Sequence, residues 1–103
     1  MADESYHRVA DLADLPDGGC LAIDLDGRPL VLVRSGDEVR ALDNCCPHAG
    51  APLSEGFVEE GVITCAWHGW AFDLETGASK DQPGVSVPTH RVKVEDGAIL
   101  VAG

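Results

Sequence analysis

The sequence predicts an all-β domain, and two observations lead to that prediction. Short apolar runs recur along the 103-residue chain, and turn signals divide them at regular spacing. No helical period of any length competes with this pattern. The length is that of one domain, so residues 1–103 are expected to fold as a single unit.

The predicted strands are clearest at the two ends of the chain. "CLAIDLDG" alternates Leu21, Ile23 and Leu25 on one face, and the following Asp26-Gly27 pair favours a tight hairpin turn. Other segments with the same pattern are "SYHRVADLADL", expected to be a strand and then a turn, "PLVLVRSGDEVRAL", expected to be two strands, and "HRVKVEDGAILV", expected to be a hairpin.

The segment from Asp43 to about Gln82 differs from both ends, because it is poor in long strands and rich in metal-binding residue types. It holds three of the four cysteines, two of the four histidines and both tryptophans. Cys46-Pro47-His48 is followed by sixteen residues and then by Cys65-Ala66-Trp67-His68. Between them, "FVEEGVIT" is expected to form a hairpin that brings the two loops together. Thiolate and imidazole are ligands that both iron and zinc accept, so the segment predicts a small metal centre.

Two other interpretations of these residues stay open at this point. A nucleophilic cysteine paired with a histidine is possible in either loop, although it leaves the second pair unexplained. A structural zinc site of Cys2His2 type would use Cys45, because zinc motifs usually place at least two residues between paired ligands, as Cys45 and His48 do.

"CPHAGAPLSEG" together with "CAWHGWAFDLETG" resembles the cluster-binding signature of the Rieske iron-sulfur proteins. The resemblance implies an antiparallel β-sandwich base with an inserted cluster-binding subdomain of two loops, at about residues 43–82. It implies a [2Fe-2S] cluster whose ligands are Cys46, His48, Cys65 and His68. Pro83 and Gly84 resemble the third loop of the family, and Cys20, His7 and His90 are assigned no part in the site.

The high-potential members of the family carry an extra cysteine in each loop, paired as a disulfide, and hydroxyl donors to the cluster. At the matching positions this chain has Ala51 and Trp67 for the cysteines, and Trp70 and Phe72 for the hydroxyl residues. Fewer donors stabilise the reduced cluster less, so a low reduction potential within the Rieske range is expected. The chain resembles a soluble Rieske ferredoxin.

The resemblance implies a one-electron carrier, itself not an enzyme, between a flavin-dependent reductase and a terminal oxygenase such as an aromatic-ring dioxygenase. The small Rieske-like subunit of a cytoplasmic nitrite reductase is an alternative. The net charge of −11 argues against nucleic acid and anionic membranes as partners. No apolar stretch approaches the length of a bilayer span, and the acidic N-terminus does not resemble a secretory signal. A cytoplasmic monomer with transient, charge-steered partners is therefore expected.

Overall fold

A computed structural model describes residues 6–36, 38–45, 52–59, 61–66, 69–80 and 82–102. In these ranges the chain forms antiparallel strands and two short 3-10 turns, at Leu12–Asp14 and Leu53–Glu55, and no helix that could cross a membrane. The strands are β1 (Tyr6–Asp11), β2 (Cys20–Leu25), β3 (Arg28–Ser35), β4 (Glu38–Asp43), β5 (Phe57–Glu59), β6 (Val62–Thr64), β7 (Ala71–Asp73), β8 (Thr89–His90), β9 (Val92–Glu95) and β10 (Ala98–Ala102). The prediction of an all-β fold is confirmed.

The strands form three sheets, and the sheet β2-β3-β4-β8 packs against both of the others. The sheet β1-β10-β9 packs on one face of the sheet β2-β3-β4-β8, and the small sheet β5-β6-β7 lies on the other side. The small sheet is built from the predicted insertion, since its strands run from Phe57 to Asp73. The base therefore carries the segment that is expected to bind the metal.

Strand β3 explains how one sheet serves both layers. Leu30 and Leu32 are fully buried in the cluster that faces the β1-β10-β9 sheet, whereas Val31 and Val33 are fully buried in the cluster that contains the insertion. Because successive side chains of a strand point to opposite faces, a strand covered on both sides must be apolar throughout. This accounts for the unbroken run "LVLV" in the sequence.

The predicted hairpin turns form with the expected backbone. Asp26 and Gly27 have φ of 52° and 85°, and Asp96 and Gly97 have φ of 51° and 78°. Two consecutive residues with positive φ are typical of the turn that best matches the twist of a two-residue hairpin. Leu25 pairs with Arg28 across the first turn, as this geometry requires.

The "FDLETG" segment contains the end of strand β7, which the sequence did not reveal, and then turns the chain. Phe72 is fully buried at the centre of β7. The Asp73 carboxylate then accepts hydrogen bonds from the backbone N–H groups of Thr76 and Glu75. These bonds, with a smaller contribution from Lys80, hold the pKa of Asp73 below its usual value.

Candidate metal centre

Only one of the four predicted ligands, Cys65, lies among the residues that the structure describes. Cys46, His48 and His68 lie outside them, and so do Ala51 and Trp67. Within the described ranges, no group of three or more metal-ligating side chains lies together. The structure therefore describes the residues at both ends of each ligand loop, and these residues are the basis for the account of the centre.

Strands β5 and β6 form the hairpin that the sequence predicted, and its open end brings together the residues that border the two ligand loops. Phe57 pairs with Thr64, so the residues before β5 and those after β6 meet at the open end of the hairpin. A Cβ atom added to Gly56 would overlap the carbonyl oxygen of Thr64. The lack of a side chain at Gly56 therefore lets two backbone segments touch.

The second ligand loop is closed by its own backbone. The N–H of Cys65 donates to the carbonyl of Trp70 at an N···O distance of 2.7 Å, and the N–H of Gly69 donates to the carbonyl of Cys65 at 3.0 Å. Gly69 has φ of 72°, a conformation that most residues avoid. Cys65, Gly69 and Trp70 thus hold together the two ends of the segment that contains His68 in the sequence.

Cys65 is buried in an apolar shell. Its exposed fraction is 1%, and it belongs to the cluster that includes Leu53, Ile63 and Phe72, with Trp70 packed against the edge. Nucleophilic cysteines need exposure to their substrate, and they usually have a charged neighbour. The burial of Cys65 argues against the nucleophile hypothesis and suits a thiolate that binds a metal away from water.

The first ligand loop is closed by side chains. The backbone N–H of Ser54 donates to Oδ1 of Asn44 at 2.8 Å, and Nδ2 of Asn44 donates to Oγ of Ser54 at 3.0 Å. Both residues are half-buried. These two reciprocal bonds join the two ends of the loop that contains Cys46 and His48.

Contacts with the base hold this closure in place. The N–H of Asn44 donates to the carbonyl of Pro29 at 3.0 Å, and the Cys20 thiol donates to the carbonyl of Ser54 at an S···O distance of 3.3 Å. Cys20, which the sequence assigned no part in the site, is half-buried, and burial raises the pKa of its thiol. Sequence reasoning missed Asn44 and Ser54, because a bond across ten residues leaves no local pattern.

His90 also supports the start of the first loop. Its Nε2 lies 2.7 Å from Oδ1 of Asp43, the last residue of β4. The N–H of Asp43 donates to the carbonyl of Pro88. His90 therefore has a partner in the base, Asp43.

The segment that resembles the third loop of the family packs beside the same apolar shell. Pro83 and Gly84 form an exposed turn, and Gly84 has φ of 83°. The N–H of Ser79 donates to the carbonyl of Val85, and Val85 packs against the cluster that contains Cys65.

The described residues fit a metal-sulfur centre. They provide a buried thiol in an apolar shell, backbone hydrogen bonds that close the segment after it, and a contact at Gly56 that brings the end of the first ligand loop against Thr64, next to Cys65. Two thiolates and two imidazoles are the donor set of a Rieske cluster.

Comparison with curated proteins gives two kinds of relative. The chain is 36% identical over 94 residues to human apoptosis-inducing factor 3; the match covers 90% of this chain but only 16% of that protein, so the chain spans about a sixth of the first relatives it matches. It is 33% identical over 99 residues to the ferredoxin component of a naphthalene 1,2-dioxygenase system from Pseudomonas aeruginosa, and this match covers 95% of both chains.

The similar solved structures include a complex that contains a ferredoxin and a small subunit of a nitrite reductase. A structure of the complex of reduced oxygenase and oxidized ferredoxin in carbazole 1,9a-dioxygenase contains a chain with a TM-score of 0.88 and 33% identity, covering 98% of this chain and 95% of that one. A nitrite reductase small subunit from Mycobacterium tuberculosis, described as putative and NADH-dependent, has a TM-score of 0.91 and 29% identity, covering 99% and 97%.

The match to a family model decides between the metal hypotheses. The model of the Rieske [2Fe-2S] domain matches residues 5–94. A family defined by an iron-sulfur cluster does not support the zinc hypothesis that used Cys45. The chain belongs to the family of Rieske [2Fe-2S] domains.

Proposed function

We propose that this chain is a one-electron carrier that takes electrons from a flavin-dependent reductase and passes them to a terminal oxygenase, such as an aromatic-ring dioxygenase. The observation that carries the proposal is the match to a ferredoxin component over 95% of both chains. The likeness to a chain solved in a complex of oxygenase and ferredoxin supports the same role.

The proposed ligands are Cys46, His48, Cys65 and His68, within the insertion at about residues 43–82. When bound, a [2Fe-2S] cluster of this type stores one electron. Two ferric ions, two sulfides and two thiolates carry no net charge before reduction, so the added electron gives the centre one negative charge. Cys65 supplies one thiolate from the buried side, where Leu53, Ile63 and Phe72 exclude water. Low polarity on that side disfavours the added negative charge and therefore favours a low reduction potential.

The proposed docking surface for the oxygenase is the exposed face of β5 beside the ligand loops. Phe57 has an exposed fraction of 59%, the largest of any large hydrophobic residue described, and it is paired with Thr64, next to Cys65. Glu55 and Glu59 flank it, and both are exposed. This surface would complement an apolar pocket of the oxygenase rimmed by lysine and arginine.

The carrier role is tested by mixing the chemically reduced protein with a purified terminal oxygenase in a stopped-flow instrument. We expect the absorbance of the reduced cluster to be lost as the oxygenase becomes reduced. Absence of transfer, together with stable copurification of the chain with a large sirohaem subunit, would favour the nitrite reductase alternative.

The proposal includes a cytoplasmic monomer in which residues 1–103 form one domain. Neither Cys20 nor Cys65 forms a disulfide, as expected for a reducing compartment. Size-exclusion chromatography with light scattering should give the mass of a single chain, and a dimer mass would contradict this part of the proposal.

A further inference from the structure

The two ligand loops are closed in different ways: among the described residues, backbone hydrogen bonds link Cys65, Gly69 and Trp70 at the second loop, whereas side chains link the ends of the first. Asn44 makes two reciprocal hydrogen bonds with Ser54, and both residues also contact the base, through the carbonyl of Pro29 and the thiol of Cys20. The three side chains of Cys20, Asn44 and Ser54 form a network that we call the loop clamp.

The loop clamp is well placed to act on a metal bound by the first loop. Asn44 lies two residues before Cys46, and Ser54 is the middle residue of the 3-10 turn Leu53–Glu55, which ends at the Gly56 junction. The clamp therefore fixes the distance between the two ends of the loop and the position of both ends relative to the base. Hydrogen bonds and ligand orientation around an iron-sulfur cluster tune its reduction potential, so a change in loop position changes that potential.

We propose that Asn44 and Ser54, supported by Cys20, are positioning residues that set the reduction potential of the cluster and its retention by the protein. This inference rests on the proposed function, because it takes Cys46 and His48 as ligands. Every contact that carries it is made by residues outside the proposed ligand set.

The test compares Asn44→Ala, Ser54→Ala and Ser54→Thr with a matched control, Asp17→Ala. The control removes a bridge of the same length, since the N–H of Gly36 donates to Oδ1 of Asp17 at 2.8 Å, but that bridge joins two turns of the base. The readouts are the midpoint potential, the EPR spectrum of the reduced cluster, and the rate of iron loss to a chelator. None of them needs a partner protein.

For Asn44→Ala we expect iron loss about tenfold faster than in the wild type, the size of effect that losing one or two net hydrogen bonds produces. We also expect a lower midpoint potential and a changed EPR spectrum. Ser54→Ala should change the same quantities less, and Ser54→Thr, which keeps the hydroxyl, should match the wild type. Adding Ser54→Ala to Asn44→Ala should have little further effect, because the hydroxyl has already lost its partner.

Wild-type potential, spectrum and iron loss in both Asn44→Ala and Ser54→Ala would overturn the proposal, as would equal changes in Asp17→Ala. If Asn44→Ala cannot be isolated with its cluster, Ser54→Ala alone decides between these outcomes. A carrier that fails to reduce an oxygenase would contradict the proposed function but would leave these measurements valid.

Discussion

The two ligand loops have the same predicted task but different supports. The second loop is closed by backbone bonds between Cys65 and Trp70, and between Gly69 and Cys65. The first is closed by the side chains of Asn44 and Ser54. Backbone bonds survive most substitutions, whereas a side-chain bond is lost with the side chain. Sequence changes outside the ligands should therefore tune the centre mainly through the first loop.

The largest effect is expected from substituting the cysteine ligands. The two loops should respond alike here, because each must supply one thiolate. We expect Cys46→Ser and Cys65→Ser to abolish the cluster, while Cys45→Ser retains it. Iron and acid-labile sulfide assays on the purified variants measure this. Retention of iron by Cys46→Ser and its loss from Cys45→Ser would show that the first-loop ligand is misassigned.

The next effect tests the junction where the loops meet. Gly56→Ala places a methyl group against the carbonyl of Thr64, so we expect a loss of about 1–3 kcal/mol of unfolding free energy and a lower cluster content. Gly61→Ala is the control, because its added methyl group contacts no other atom. We expect it to lose only about 1 kcal/mol of unfolding free energy, since Gly61 has φ of 78°, which is unfavourable for alanine.

Thermal unfolding and iron content measure both glycine variants. If Gly61→Ala lowered the cluster content as much as Gly56→Ala, the contact between the loops would not be what matters.

Sequence reasoning succeeded where the determinants are local. The turns at residues 26–27 and 96–97 follow from two adjacent residues, and the hairpin around Gly61 follows from its flanking apolar runs. Strand β8 has only two residues, Thr89 and His90, which pair with β4 far away in the sequence, and the Asp43–His90 contact spans 47 positions. The loop clamp was missed for the same reason, since nothing next to Asn44 in sequence identifies Ser54 as its partner.

A smaller effect tests whether the docking surface lies beside the loops. We expect Phe57→Ala to slow electron transfer to the oxygenase several-fold with an unchanged midpoint potential, because an aromatic anchor is lost while the centre is not touched. Val94→Ala is the control, since Val94 is the other exposed large hydrophobic residue described and lies on β9 in the base.

The same stopped-flow measurement at rising ionic strength tests the acidic surface. With a net charge of −11, transfer should slow as salt increases. A rate that is independent of salt, or equal effects of the Phe57 and Val94 substitutions, would remove this surface from the proposal.

The smallest effect depends on pH and acts on the first loop alone, through Cys20. Burial raises the pKa of this thiol on folding, so the unfolded chain loses the proton first as pH rises. Above the ordinary cysteine pKa of about 8.5, the unfolded state then binds fewer protons than the native state, and stability must fall with pH until the folded pKa is passed. Cys20→Ser keeps a donor for the Ser54 carbonyl and removes this titration, whereas Cys20→Ala removes both. Chemical denaturation at pH 7 should therefore show Cys20→Ala about 1 kcal/mol less stable than Cys20→Ser. From pH 8 to 10 the wild type should lose stability relative to both variants, and parallel curves for all three proteins would show that the Cys20 thiol does not couple pH to the first loop.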